Sequence, residues 1–194
     1  MIKAIVEEVK DFAVIVFDAH SDLREPWGQD TWNHACVTRE ISKELNLKTL
    51  IVGVRSQDYY EKEFAIENKD KISIIYAKDL LNSKNNSFDL LNCKIFENEI
   101  KKLPKNIFIS IDVDVFDSTI ISNTNTCEPG GLNCIQLNNL LISLFKTKNI
   151  IGVDINEFSP KTLDNKENNS YNESYLLAKL IYKIIAYKYY SDKL

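Results

Sequence analysis

Five residues in two short stretches carry the strongest chemical signal in this sequence. Asp18-Ala19-His20-Ser21-Asp22 follows directly on the buried-strand run Ala13-Val14-Ile15-Val16-Phe17, and Asp112-Val113-Asp114 ends a second apolar run at 107–111. In open α/β sheets ligands bind just outside the carboxyl ends of the strands, so both stretches stand where function is usually found. A spacing of two places Asp18, His20 and Asp22 on one side of extended backbone, where two carboxylates and an imidazole can converge. The bland alternative is a pair of strand-ending turns with solvated acids. Together Asp18, Asp22, Asp112 and Asp114 supply the charge that two divalent cations about 3.5 to 4 Å apart require. Two such ions repel by roughly 17 kcal/mol at ~4 Å and an effective dielectric of ~20, which makes bridging carboxylates necessary. Oxygen-rich ligation with a single imidazole favours manganese over zinc.

The elements that must hold these residues follow from the apolar pattern. Strand-length runs at 13–17, 49–54, 72–76, 107–111 and 150–153 alternate with mixed three- and four-residue apolar spacing at 38–45, 58–68, 88–102 and 137–146. That alternation is the mark of repeated βα units, an α/β fold whose mainly parallel sheet is covered by helices. A last helix over 173–190 places Leu176, Leu177, Leu180, Ile181, Ile184 and Ile185 on one stripe. The polar stretches 82–87 and 161–172 read as loops. No repeat or linker interrupts the pattern, so 1–194 is read as a single domain.

Composition excludes several classes. The 194 residues, 44% of them hydrophobic, are enough for one domain with a full core. The net charge is -4 with both signs scattered, which leaves no footprint for nucleic acid or an anionic membrane surface and suits a cationic ligand better. Cys36, Cys93, Cys127 and Cys134 form no CxxC pair and fall short of a disulfide-stapled density, pointing to reduced thiols in a cytoplasm. The first residues lack the apolar core of a signal peptide, and no apolar run approaches the roughly 18 residues of a membrane span.

Taken alone, Asp112-Val113-Asp114 also resembles the nucleophile pair of haloacid-dehalogenase-like phosphatases. That reading leaves the Asp18 cluster and Glu128-Pro129-Gly130-Gly131 unexplained. In order along the chain, Asp18-Ala19-His20-Ser21-Asp22, His34 within Trp32-Asn33-His34-Ala35, Ser110 to Asp114, Asn125-Thr126-Cys127-Glu128-Pro129-Gly130-Gly131-Leu132, and Gly152-Val153-Asp154-Ile155-Asn156-Glu157-Phe158-Ser159-Pro160 resemble the signatures of the ureohydrolase (arginase/agmatinase) family. Val52-Gly53-Val54-Arg55-Ser56 is similar to a further family segment, and Glu128-Pro129-Gly130-Gly131 is most like agmatinases, with Cys127 where proline is usual.

The resemblance implies an arginase-like three-layer αβα fold and a pair of manganese ions. Asp18 and Asp112 would bridge them, Asp22 would ligate the first, and His20 and Asp114 the second. A bridging hydroxide, oriented by Asp22, would attack the guanidino carbon, and His34 would pass a proton to the leaving amine. Glu157 would grip the guanidinium in the bidentate manner that a carboxylate allows, and Glu128 would add acidic character that favours a free amine. The implied reaction is agmatine to putrescine and urea, a step of polyamine biosynthesis, in a homo-oligomer of three or six chains. Asp154 supports the loop before Glu157.

Family members carry, upstream of the Asp-Ala-His segment, a further region whose histidine completes the first metal site. Only ten residues precede Asp11, and His20 and His34 are both assigned. The resemblance therefore implies a sheet missing N-terminal strands and a weakened first site. The alternative function is a catalytically impaired metal-binding or interaction subunit, or one part of a split enzyme.

Overall fold

Six consecutive buried residues, Phe12–Phe17, form the first strand, β1. A strand with no polar face must lie inside a sheet covered on both sides, which is the setting of parallel sheets. The structure, a computed structural model, describes residues 1–27, 32–81, 93–160 and 170–191. After β1 come β2 (Lys48–Val54), β3 (Ile72–Tyr76), β4 (Asn106–Asp112) and β5 (Asn149–Asn156). Their order across the sheet is β3-β2-β1-β4-β5, with every pair parallel. All five strands expected from the apolar runs are present, each matching or reaching slightly beyond its run.

The helices are α1 (Ile2–Glu8), α2 (Val37–Lys43), α3 (Tyr59–Glu67), α4 (Ala77–Leu81), α5 (Cys93–Lys101), α6 (Cys134–Thr147) and α7 (Ser170–Tyr189). Alternate β1 residues divide the interior. Phe12, Val14 and Val16 join Ile51 and Phe108 beneath α1, α2 and α3, through Ile2, Ile5, Ile41 and Ala65. Ala13, Ile15 and Phe17 join Ile109 and Ile111 beneath α5, α6 and α7, through Phe96, Leu137, Leu141, Leu177 and Leu180. The result is a three-layer αβα arrangement, and each fully buried large side chain in it contributes roughly 1.5–3 kcal/mol.

Two helices lie outside the expected set. In α1, Ile2, Ile5 and Val6, with Val9 just past its end, cover one face of the sheet at helical spacing. The short α4 follows β3 without a break and buries Ala77 and Leu80. Conversely, α7 begins at Ser170, so the end of the expected 161–172 loop is helical. The expected 82–87 loop, the rest of that second loop and the first residues of the expected 88–102 helix lie outside the described residues. On α7 the stripe is only partly covered: Leu177, Leu180 and Ile184 are buried while Ile181 and Ile185 stay exposed. The reason is lateral: these two isoleucines border a groove beside β5, the last strand of the sheet.

The topology positions the site. The chain runs outward from β1 through α2 and α3 to β3 on one face, then crosses back to β4 and continues through α6 on the other. Adjacent β1 and β4 thus part at their carboxyl ends, and the divergence of their connections opens the crevice where such sheets bind ligands. Among the described residues, no helix is long and apolar enough to cross a membrane.

Candidate metal centre

The β1–β4 register pairs Phe17 with Ile111, so the residues that follow, Asp18 and Asp112, emerge side by side at the crevice. After Asp112 the chain tightens into a single 3₁₀ turn, Val113–Val115, and the Asp112 carboxylate accepts the Asp114 N–H at 2.9 Å. That turn aims buried Asp114 back at the end of β1, where Asp114 Oδ1 accepts the Ala19 N–H at 3.0 Å. Asp18 Oδ1 accepts the His20 N–H at 2.6 Å. His20 Nδ1 lies 2.9 Å from Asp114 Oδ2 and 3.5 Å from Asp18 Oδ1. One donor atom from each of Asp18, His20 and Asp114 lies within 4.8 Å of the others. Asp22 and Asp112 line the same cavity, of about 1090 Å³.

Asp22 reaches that cavity in a way that alternation along a strand does not foresee. Its φ is 52°, so the backbone turns there instead of staying extended. Only three non-glycine residues among those described have positive φ: Asn46 just past the end of α2, Asp22, and Glu157 at 63°. Asparagine is at home in this conformation. The other two are acidic residues in the cleft, and such outliers persist only where their surroundings hold them.

The electrostatics follow from crowding buried carboxyls. Burial, reinforced by the Asp114 charge, lifts the Asp18 carboxyl to about 7. Burial and the neighbouring Asp18 charge lift Asp22 to about 8. Asp112 rises to about 9 through burial and the charges of Asp18 and Asp114. Burial also pushes Asp114 upward, but hydrogen bonds from His20 and Ala19 outweigh it and hold the carboxyl below its ordinary value. The hydrogen bonds to Asp114 and Asp18 raise the His20 imidazole to about 10. One imidazolium cannot neutralise four carboxylates, so the metal-free cluster relieves its repulsion by holding protons. A hard divalent cation fits this donor set, because carboxylate oxygens with one imidazole match its preferences and its charge replaces those protons.

The remaining expected site residues surround the same cavity. His34, exposed in the turn before α2, forms part of its wall. Glu128 brings Oε1 to 3.8 Å from His20 Nε2, on the far side of the ring from Asp114. Glu157 follows β5, with Oε2 3.4 Å from Asn125 Nδ2. Asp154 accepts the Asn156 amide at 2.9 Å, and Asn156 also donates to Ser110 Oγ. A family model described as Arginase family matches residues 1–186.

The chain belongs to the arginase family. It is 38% identical over 158 residues to N(1)-aminopropylagmatine ureohydrolase of Thermococcus kodakarensis, a match covering 81% of this chain and 50% of that protein. It is 36% identical over 180 residues to agmatinase of Pyrococcus horikoshii, covering 93% and 56%. The crystal structure of agmatine ureohydrolase of Thermoplasma volcanium superposes with a TM-score of 0.71 at 31% identity, over 96% of this chain and 58% of that one. The chain spans about half the length of the relatives it matches.

Four further side chains support the cleft of this arginase-family chain. Arg55 Nη2 donates to the carbonyls of Asp114, Phe116 and Glu128, while Nε donates to Pro129 and Nη1 to Gly53. One guanidinium thereby ties the end of β2 to both acidic loops. Asp117 accepts the N–H groups of Gly130 and Gly131. A Cβ on Gly131 would lie 2.5 Å from the Phe116 carbonyl carbon and 2.6 Å from Asp117 N, so only glycine allows this approach. Glu173 of α7 accepts four bonds from Ser122 and Asn123, and Asn123 O accepts the Ser159 N–H, linking α7 to the Glu157 loop. Glu61 closes a capping box with Asp58, and Asp-x-x-Glu ahead of a helix is a signal legible in the sequence. Arg55 lies within the 52–56 segment that resembles the family, but no local pattern announces its bonds to 114–116 and 128–129, or the roles of Asp117 and Glu173, since these act on residues distant along the chain.

Proposed function

We propose that the chain hydrolyses a guanidino compound, agmatine first among them, to urea and an amine, which for agmatine is putrescine. The observation carrying this reading is the gathering of Asp18, His20, Asp22, Asp112 and Asp114 around one crevice of an arginase-family fold. Asp18 and Asp112, which follow the paired Phe17 and Ile111, would hold two divalent cations together with Asp22, His20 and Asp114. Asp22 would belong to the first cation site, and His20 with Asp114 to the second. The oxygen-rich set favours manganese, and such a pair when bound lowers the pKa of water toward about 7, supplying a nucleophile at neutral pH.

The chain's own residues then divide the work. Asp22 orients the nucleophile toward the guanidino carbon. Glu157 accepts two parallel N–H bonds from the guanidinium and fixes that carbon in place. Water adds oxygen to the carbon, the bond to the alkyl nitrogen breaks, and His34 delivers the proton that the leaving amine requires. Glu128 supplies negative charge that favours a cationic substrate. Trimeric or hexameric assembly and a cytoplasmic setting belong to the same proposal, the first checked by sedimentation.

The test is urea release by the 194-residue chain on addition of manganese, abolished in Asp112→Asn. Agmatine, arginine and N(1)-aminopropylagmatine are compared by kcat/KM. The aminopropyl substrate is the second reading, favoured by the 38% identity to the Thermococcus kodakarensis protein of that name. Absence of urea from all of them overturns the proposal.

A further inference from the structure

Glu61 is a buried carboxylate with no part in the chemistry above. It stands in the first turn of α3, 5% exposed, and its two oxygens do different things. Oε2 accepts the Asp58 N–H at 2.9 Å and completes the helix cap. Oε1 accepts the Ser21 hydroxyl at 2.7 Å and the Leu23 N–H at 3.0 Å. Ser21 and Leu23 are the two neighbours of Asp22, so one oxygen holds the chain on both sides of that residue.

Asp22 needs such a hold. Its φ of 52° lies in the left-handed region, which a non-glycine residue keeps only where its surroundings fix it. A third bond, from the Arg39 N–H to the Asp22 carbonyl at 3.1 Å, pins the same peptide from the side of α2. Helix capping alone does not explain the residue type, because on α6 the neutral pair Asn133 and Gln136 closes an equivalent box. What distinguishes Glu61 is that every bonded neighbour is a donor, and a carboxylate is acceptor-only on both oxygens.

We propose that Glu61 is the positioning residue for Asp22, holding its strained backbone so that the carboxylate faces the cleft as a ligand. The inference rests on the reading that Asp22 binds the first of two divalent cations. It assigns Glu61 an effect on one metal site and not the other, which general damage to the fold would not produce.

The experiment is calorimetric titration of the metal-free chain with Mn²⁺, with thermal melts in parallel. Wild type is expected to take up two ions. Glu61→Ala weakens one site by about 10- to 100-fold, the usual consequence of losing a residue that orients a ligand, and leaves the other near its wild-type affinity. Glu61→Gln, whose amide oxygen can still accept from Ser21 and Leu23, restores most of that loss. Should Glu61→Ala fail to fold, Ser21→Ala removes a single bond of the same clamp and carries the test with a smaller, still site-selective shift. Unchanged affinities in the variants, or equal weakening at both sites, overturn the role of Glu61. A wild-type chain that takes up no Mn²⁺ overturns the functional reading, and this inference with it.

Discussion

The imidazole Nδ1 of His20 lies 2.9 Å from Asp114 Oδ2, and no other pair in the cleft joins a histidine to a carboxylate so closely among the described residues. In the metal-free chain this imidazolium stands where a cation's charge is needed. Its pKa, raised from 6.5 to about 10, makes it protonated at neutral pH, whereas ligation requires the neutral ring. Metal uptake at this cluster would therefore displace a proton from His20 and further protons from Asp18, Asp22 and Asp112. Calorimetric Mn²⁺ titrations in buffers of different ionisation enthalpy are expected to show proton release that persists at about pH 7. Uptake with no buffer dependence would contradict the assignment.

The same shifts set the pH dependence of the metal-free fold. In the unfolded chain the carboxyls ionise near 3.8, while the folded chain holds protons on Asp18, Asp22 and Asp112 up to about 7, 8 and 9. Their stabilising contribution is full in acid and lost as pH rises through those values. His20 acts in the same direction, contributing fully below 6.5 and losing its contribution as pH rises through about 10. Asp114, held low, opposes them only in acid, where its contribution disappears as pH falls below its ordinary 3.8. Melting temperature without metal should fall between about pH 5 and about pH 9, and saturating Mn²⁺ should shrink that fall.

An Asp114→Asn substitution removes the first cause of the raised His20 pKa. The His20 ring signal, followed by NMR in the metal-free variant, should titrate lower by roughly one unit or more, a difference on the order of 1.4 kcal/mol between protonation states. The amide oxygen introduced by that substitution can still accept the Ala19 N–H, so the fold should survive. A titration unchanged from wild type would show that Asp18 alone sets the pKa.

Arg55→Lys keeps the charge but gives up the planar fork that reaches five carbonyls on three segments. An expected loss of about 2 kcal/mol, read from urea unfolding, reflects the partly buried carbonyls of Asp114, Phe116 and Glu128 left short of donors. Because Glu128 rides on the freed loop, KM for a cationic substrate should rise more than kcat falls. A full-stability lysine variant would mean that water replaces the guanidinium.

Glu173→Leu leaves the donors of Ser122 and Asn123 without their acceptor and should destabilise by about 1–3 kcal/mol. Hydrogen exchange is expected to quicken at the Ser122, Asn123 and Ser159 amides ahead of the β4 amides. Uniform quickening across the sheet would place the effect in global unfolding instead.

Much of this molecule can be read along the chain because its signals are local. An apolar run of strand length must be buried wherever it goes, so β1 to β5 are visible at 13–17, 49–54, 72–76, 107–111 and 150–153. The acids just past two of those runs fall at a ligand-binding edge whatever the pairing of the strands. The helix α1 has a signal too, in Ile2, Ile5, Val6 and Val9, but a stripe this short carries little weight until the sheet face beneath it is known. What periodicity cannot supply is the strand order. That β4 returns beside β1, bringing Asp112 against Asp18, depends on which helices cover which face, a matter of global packing. Nor does spacing dictate the left-handed turn at Asp22, the reach of Arg55 across three segments, or the hold of Glu173 on the Glu157 side of the cleft. Residue type and spacing determined that this chain carries a set of donors suited to hard cations. Only the tertiary structure decided which of them meet, because convergence is set by contacts between residues far apart in sequence, and those cannot be read one segment at a time.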